Sequence, residues 1–228
     1  MDVDDVGEMI DVWERHVTKG MLKATPYLPA YARHLGRFRG TDASLLEVGV
    51  NRGGSLQFWR AWLGPDVRLV GADIDPACAA HTDEGATILI GDQGDRGFLD
   101  ELAALGPFDV VIDDGGHLAS QQTATFEGLW PAVKPGGVYV CEDTATSYLP
   151  AFRDGPTFME LVKAKVDEMH AWFGGEPTDF TRTAASIHVY GSLVAIEKDE
   201  VDEPEFLGQL YGFEAGGIAR VPWRALLG

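Results

Sequence analysis

Positive charge is scarce in this chain. Eighteen Lys and Arg stand against 36 Asp and Glu, giving a formal net charge of −18 over 228 residues. Nucleic-acid binding rests on Lys and Arg neutralising phosphates, so nucleic acid is set aside as a partner. A small molecule is the expected partner, and the charge itself says nothing about the fold. Cysteine is nearly absent. Cys78 and Cys141 fall in different predicted elements with no metal-type spacing, and Cys141 sits in an apolar run where it serves as a small hydrophobe. Long apolar runs are missing too: nothing approaches the ~18 consecutive residues of a membrane span. The acidic start from Met1 to Asp5 has no cationic region leading into an apolar core, so a cytoplasmic protein without a signal peptide is expected.

What is present is an alternating pattern. Val3, Val6, Met9, Ile10, Trp13 and Val17 recur at helical spacing, as do Leu28, Tyr31, Leu35 and Phe38. From Ser44 the pattern becomes strand, helix, strand. The strand-like runs are Leu45–Val50, Arg68–Ala72, Ala86–Ile90, Phe108–Ile112 and Val138–Cys141. Helix-like segments Leu56–Leu63, Phe98–Leu105 and Leu118–Trp130 lie between them. Strands apolar on both faces predict a mostly parallel sheet covered on both sides. Pro135-Gly136-Gly137 predicts a turn into the fifth strand. Phe158 to Phe173 reads as a helix, and Ser186–Tyr190 with Leu193–Glu197 as an antiparallel hairpin turning at Gly191-Ser192. No element is assigned to the last ~28 residues. The expectation is one α/β domain over 1–228, with cofactor-covering helices in 1–40, a cofactor and metal half in 44–143 and a substrate lid in 144–182.

The informative regularity is acidic. Glu47, Asp73, Asp92, the pair Asp113-Asp114 and the pair Glu142-Asp143 stand at five successive strand ends. Open α/β sheets bind ligands outside the carboxyl ends of their strands. The alternative for any single acid is a helix cap. The turn Glu47-Val48-Gly49-Val50-Asn51-Arg52-Gly53-Gly54 lacks the G-x-G-x-x-G fingerprint, because Asn51 stands at the middle glycine, and it carries no P-loop lysine. An acid two residues before the glycine is similar to the first motif of class I methyltransferases that use S-adenosylmethionine. That resemblance implies a Rossmann-like fold with a seven-stranded, mostly parallel sheet. It implies a cofactor loop of Glu47, Gly49, Asn51 and Gly53, Asp73 on the ribose hydroxyls and Asp92 on the adenine amine.

Asp114, Glu142 and Asp143 form a hard-oxygen set suited to Mg²⁺ or Ca²⁺ and unsuited to thiolate zinc. The stretches from Val110 to His117 and from Pro135 to Tyr148 resemble the metal-dependent sugar O-methyltransferases of macrolide biosynthesis, of the mycinamicin and macrocin type, related to the cephalosporin hydroxylases. The resemblance implies Mg²⁺ on Asp114, Glu142 and Asp143, His117 as general base, and Asp113 as structural or near the cofactor. It also implies a homo-oligomer. Gly116 replaces a family serine, and Thr144-Ala145 replaces an aromatic, so the acceptor pocket is expected to differ in shape. Longer members carry an N-terminal domain without a counterpart here. The chemistry agrees: a sugar hydroxyl is a poor nucleophile until a metal lowers its pKa and a neutral imidazole takes its proton. Competing readings are a catechol-type methyltransferase on a small aromatic diol, a non-catalytic S-adenosylmethionine-binding module, and, more remotely, a nicotinamide oxidoreductase.

Overall fold

The computed structural model describes residues 3–82, 85–208 and 219–222. Helices α1 (Val3–His16) and α2 (Tyr27–Leu35) lead into β1 (Ser44–Val48), α3 (Gly54–Leu63), β2 (Arg68–Asp73), β3 (Thr87–Ile90), α4 (Arg96–Ala103), β4 (Phe108–Asp113), α5 (Ala119–Leu129) and β5 (Val133–Cys141). Then come α6 (Phe158–Met169), α7 (Asp179–Thr183), β6 (Ala184–Val189) and β7 (Val194–Lys198). A separate two-stranded ladder joins β8 (Glu205–Gly208) to β9 (Ala219–Pro222). It lies in the tail to which the sequence assigned no element; residues 209–218 and 223–228 of that tail are outside the described residues. No described helix is long and apolar enough to cross a membrane.

The seven-stranded sheet has the order β3-β2-β1-β4-β5-β7-β6. The first five strands are parallel, and β7 pairs antiparallel with both β5 and β6. Alternating side chains send each central strand into two cores. Leu45, Val110, Ile112, Val138 and Val140 pack with Tyr31, Trp59 and Trp62 on one face. Leu46, Val48, Val111, Tyr139 and Cys141 pack with Leu102, Phe126 and Phe158 on the other. Each fully buried aliphatic stabilises by about 1.5–3 kcal/mol, which is why both faces need helices. Strand order reverses between β1 and β4, so their carboxyl ends diverge into a crevice.

Two local differences from the sequence reading have physical causes. The predicted turn at Pro135-Gly136-Gly137 lies inside β5, as a break in its ladder: Phe108 pairs with Val133, but Val110 pairs with Val138. Gly136 takes φ +77° there, and a Cβ on Gly137 would stand 2.8 Å from the Asp109 carbonyl oxygen. The helix beginning at Phe158 stops at Met169, and one 3₁₀ turn succeeds it at Ala171–Phe173. Its start is fixed by a capping box between Thr157 and Glu160.

Candidate active site

A cleft of roughly 680 Å³ opens at the carboxyl ends of β1, β2, β3 and β4, bounded opposite by residues 20–23. Its floor is the turn after β1. Gly49 holds φ +98°, and a Cβ there would lie 2.0 Å from the Asp114 carbonyl oxygen. Only glycine lets the turn come that close to the end of β4. Asn51 also has positive φ, +48°, and its N–H donates to Asp73 Oδ2 at 2.8 Å, while the Asp75 N–H donates to Oδ1 at 2.9 Å. Burial would raise the Asp73 carboxyl, but these backbone donors outweigh it and hold it below the ordinary value. An anionic acceptor is thus fixed at the end of β2. Asp92 accepts from the Gly94 N–H at 2.8 Å, a local turn that fixes its carboxylate on the cleft wall.

The next group stands where β4 and β5 end. One donor atom each from Asp114, His117 and Asp143 falls within 4.8 Å of the others, and His117 Nε2 lies 3.4 Å from Asp143 Oδ2. Both His117 and Asp143 are left-handed, at φ +59° and +53°. Non-glycine residues rarely adopt this conformation, and it turns both side chains toward the cleft edge. Gln93 clamps the loop that carries His117. Its Oε1 accepts from the Gly116 N–H at 2.6 Å, and its Nε2 donates to Asp113 and to Thr125 Oγ1, each at 3.0 Å. Asp113 is buried under this clamp, and burial pushes its carboxyl up to about 7.

Beneath the edge lies an internal cation. The Lys23 side chain is 3% exposed. Its Nζ donates to Asp114 Oδ2 at 2.5 Å and to both oxygens of Glu142 at 2.8 and 3.0 Å, with Glu47 at 3.8 Å. Burial would lower this amine, yet the carboxylates of Glu142, Asp114 and Glu47 raise it above the ordinary lysine range. Glu142 also accepts from Tyr31 at 2.5 Å, and burial pushes its carboxyl up to about 8, the ammonium offsetting that only in part. Glu47 accepts from Ser55 Oγ at 2.6 Å and Trp59 Nε1 at 3.1 Å. Tyr27 donates to Asp143 Oδ1 at 2.6 Å. The carboxyl groups of Glu47, Asp114 and Glu142 thus crowd around one ammonium, and Asp143 stands beside them.

Of the residues singled out from the sequence, Gly49, Asn51, Asp73, Asp92, Asp114, His117 and Asp143 line the cleft. Glu47, Gly53, Asp113 and Glu142 stand behind the lining. Glu47 and Asp113 touch the cleft only through the neighbours that they hydrogen-bond or pair with. On the N-terminal side, the cleft wall is the connection between α1 and α2 rather than the helices themselves. Sequence reasoning missed Lys23, Tyr27, Tyr31 in its polar role, and Gln93. One signal was available: Tyr27 and Tyr31 are spaced by four on α2, so their polar tips can share a face of that helix, whereas Lys23 lies before the helix and gave no such signal.

Known proteins resemble this chain. Residues 46–144 match the family described as a methyltransferase domain. The chain is 37% identical over 197 residues to an 8-demethyl-8-(2-methoxy-α-L-rhamnosyl)-tetracenomycin-C 3′-O-methyltransferase of Streptomyces olivaceus, covering 78% of this chain and 50% of that protein. It is 36% identical to a demethylmacrocin O-methyltransferase of Streptomyces fradiae, covering 85% and 55%. A solved structure of the MycE methyltransferase from the mycinamycin biosynthetic pathway, in complex with Mg, SAH and mycinamycin VI, superposes with a TM-score of 0.75 at 31% identity, covering 91% of this chain and 57% of that one. The chain therefore spans about half the length of the curated relatives it matches.

Proposed function

We propose that the protein transfers a methyl group from S-adenosylmethionine to a sugar hydroxyl of a natural product or its precursor, with Mg²⁺ and with His117 as general base. Residues 46–144 are a methyltransferase domain, in a chain that resembles the sugar O-methyltransferases of macrolide pathways. The observation that carries this reading is the strand-end group of Asp114, His117 and Asp143 at the mouth of a cleft whose far end holds Asp73 and Asp92.

The residues present fit both bound groups. The glycine turn at Gly49 leaves backbone exposed where the amino-acid part of the donor would lie. The fixed Asp73 carboxylate suits two vicinal ribose hydroxyls, and Asp92 suits an adenine amine. Asp114 and Asp143 supply hard oxygens at the cleft edge, with Glu142 directly behind, and such an oxygen set suits a hard dication. Bound at such oxygens, a divalent ion lowers the pKa of a hydroxyl and orients it. The chain's own part is then defined. His117 Nε2, beside the Asp143 carboxylate, takes the hydroxyl proton, and Asp143 stabilises the imidazolium that results. Gln93 keeps the His117 loop in register through Gly116, which serves positioning. Tyr27 orients Asp143. The exposed Tyr148 and Leu149, in segment 144–182, supply apolar surface on the acceptor side. A homo-oligomer is part of the proposal and is measured by light scattering.

The test is a calorimetric titration of Mg²⁺ into protein saturated with S-adenosylhomocysteine, for wild type and Asp114→Ala, and then methyl transfer to a panel of glycosides and catechols. Metal binding lost in the variant, with transfer to glycosides that His117→Ala abolishes, is the expected result. Cofactor binding without metal binding removes the mechanism and leaves a non-catalytic binding module. Transfer to catechols that survives His117→Ala turns the assignment to an aromatic diol.

A further inference from the structure

Residues 17–26 run between α1 and α2 without helix or strand, yet they form one wall of the cleft through Gly20, Met21, Leu22 and Lys23. Irregular backbone of this kind stays in place only where it is held. Two holds are local. Gln57 Oε1, on α3, accepts from the Thr18 and Lys19 N–H groups at 2.9 and 3.0 Å. The backbone at Gly20 is pressed against the start of α3, since a Cβ on Gly54 would stand 2.5 Å from the Gly20 carbonyl oxygen. Beyond that point the apolar anchorage is limited to Met21, half-buried against the core, while Leu22 is 91% exposed. The third hold is Lys23, whose ammonium reaches the carboxylates of Asp114 and Glu142 from β4 and β5.

A buried ion pair is a weak source of net stability, because desolvation offsets most of the attraction. Its geometry is demanding all the same: three contacts at 2.5, 2.8 and 3.0 Å fix one ammonium in one place. We propose that Lys23 is a positioning residue that locks segment 17–26 against the cofactor turn by seating its ammonium between Asp114 and Glu142. Cofactor affinity then depends on this lock, which acts through the backbone of residues 20–23. The inference deepens the methyltransferase reading, because the ligand that senses the lock is the cofactor of that reaction.

The experiment uses the full chain without added metal. Amide exchange across residues 18–24 is monitored by mass spectrometry in wild type, Lys23→Met and the double variant Lys23→Met/Glu142→Gln. S-adenosylhomocysteine affinity is measured by calorimetry on the same samples. The double variant leaves fewer unpaired buried charges, so it folds even if the single one does not. Loss of hydrogen bonds to charged groups predicts exchange in 18–24 faster by about ten- to hundredfold, with the sheet unchanged, and affinity weaker by roughly tenfold. Native exchange in 18–24, or affinity within about twofold of wild type in a folded variant, overturns the proposal. A wild type that binds no S-adenosylhomocysteine overturns the methyltransferase reading instead, and the exchange data still judge the lock.

Discussion

Gly49→Ala tests whether the cofactor turn and the reacting edge are one rigid unit. The residue sits at φ +98°, and an L-residue there costs about 1–2 kcal/mol from backbone sterics alone. The new Cβ would also meet the Asp114 carbonyl oxygen at 2.0 Å, against an ordinary contact of 3.4 Å, so turn and strand end must separate by 3.4 − 2.0 = 1.4 Å. The neighbour is backbone and cannot rotate away. It is tied by Asp114 N–H to Val48 O and by Gly49 N–H to Ala72 O, both 2.8 Å. Overpacking of this kind adds about 1–3 kcal/mol. The total, roughly 2–5 kcal/mol, lowers Tm by about 5–15 °C in a chain of this size. The control is Gly40→Ala, at φ +69° with nothing within 4 Å of its Cβ, which isolates the backbone cost. Thermal unfolding of both variants, with S-adenosylhomocysteine calorimetry on each, decides the matter. If Gly49→Ala melts no lower than Gly40→Ala and binds as tightly as wild type, the close approach of turn and strand end is not what holds the cleft together.

The same geometry carries three further outcomes. Gln93→Ala removes the acceptor of the Gly116 N–H and the donor to Asp113; kcat on the identified acceptor should fall at least tenfold, by about 1.4 kcal/mol, with cofactor affinity retained, whereas an unchanged kcat removes Gln93 from the positioning of His117. Tyr31→Phe takes a hydrogen bond from buried Glu142 and should cost about 1–3 kcal/mol in urea unfolding; a cost near zero means that Lys23 alone satisfies that carboxylate. His34 is held below its ordinary value of 6.5 by burial, with the Glu197 hydrogen bond pulling the other way. As pH falls through 6.5 the unfolded chain takes up this proton first, so stability is lost below that pH, and His34→Gln should flatten this part of the profile. Urea midpoints on either side of that pH, about 7.5 and about 5.5, that shift equally in wild type and variant refute the assignment.

Much of the site was legible because parallel strands write their ends plainly. A two-faced apolar run such as Val110 to Ile112 has to stop at the sheet edge, and the acids after it stop there too. Asp73, Asp92, Asp114, His117 and Asp143 were therefore placed from local pattern alone. Glu142 and Asp143 show the limit of that reasoning. They are adjacent in sequence, yet the left-handed backbone at Asp143 turns one carboxylate to the cleft and leaves the other buried on Lys23 and Tyr31. Which of two neighbouring acids faces the ligand depends on a dihedral angle, and residue type does not state it.

The alternation of strands and helices, the single α/β layering and the acidic strand ends are local facts. Each rests on periodicity or on residues within a few positions of one another, so the chain states them before it folds. Other facts exist only after folding: Lys23 neutralises Glu142 across 119 residues, Tyr27 orients Asp143 across 116, and Gln93 clamps the His117 loop across 23. A buried charge chooses its partner by desolvation and distance in the folded state, and neither quantity is defined until the sheet has brought its strand ends together.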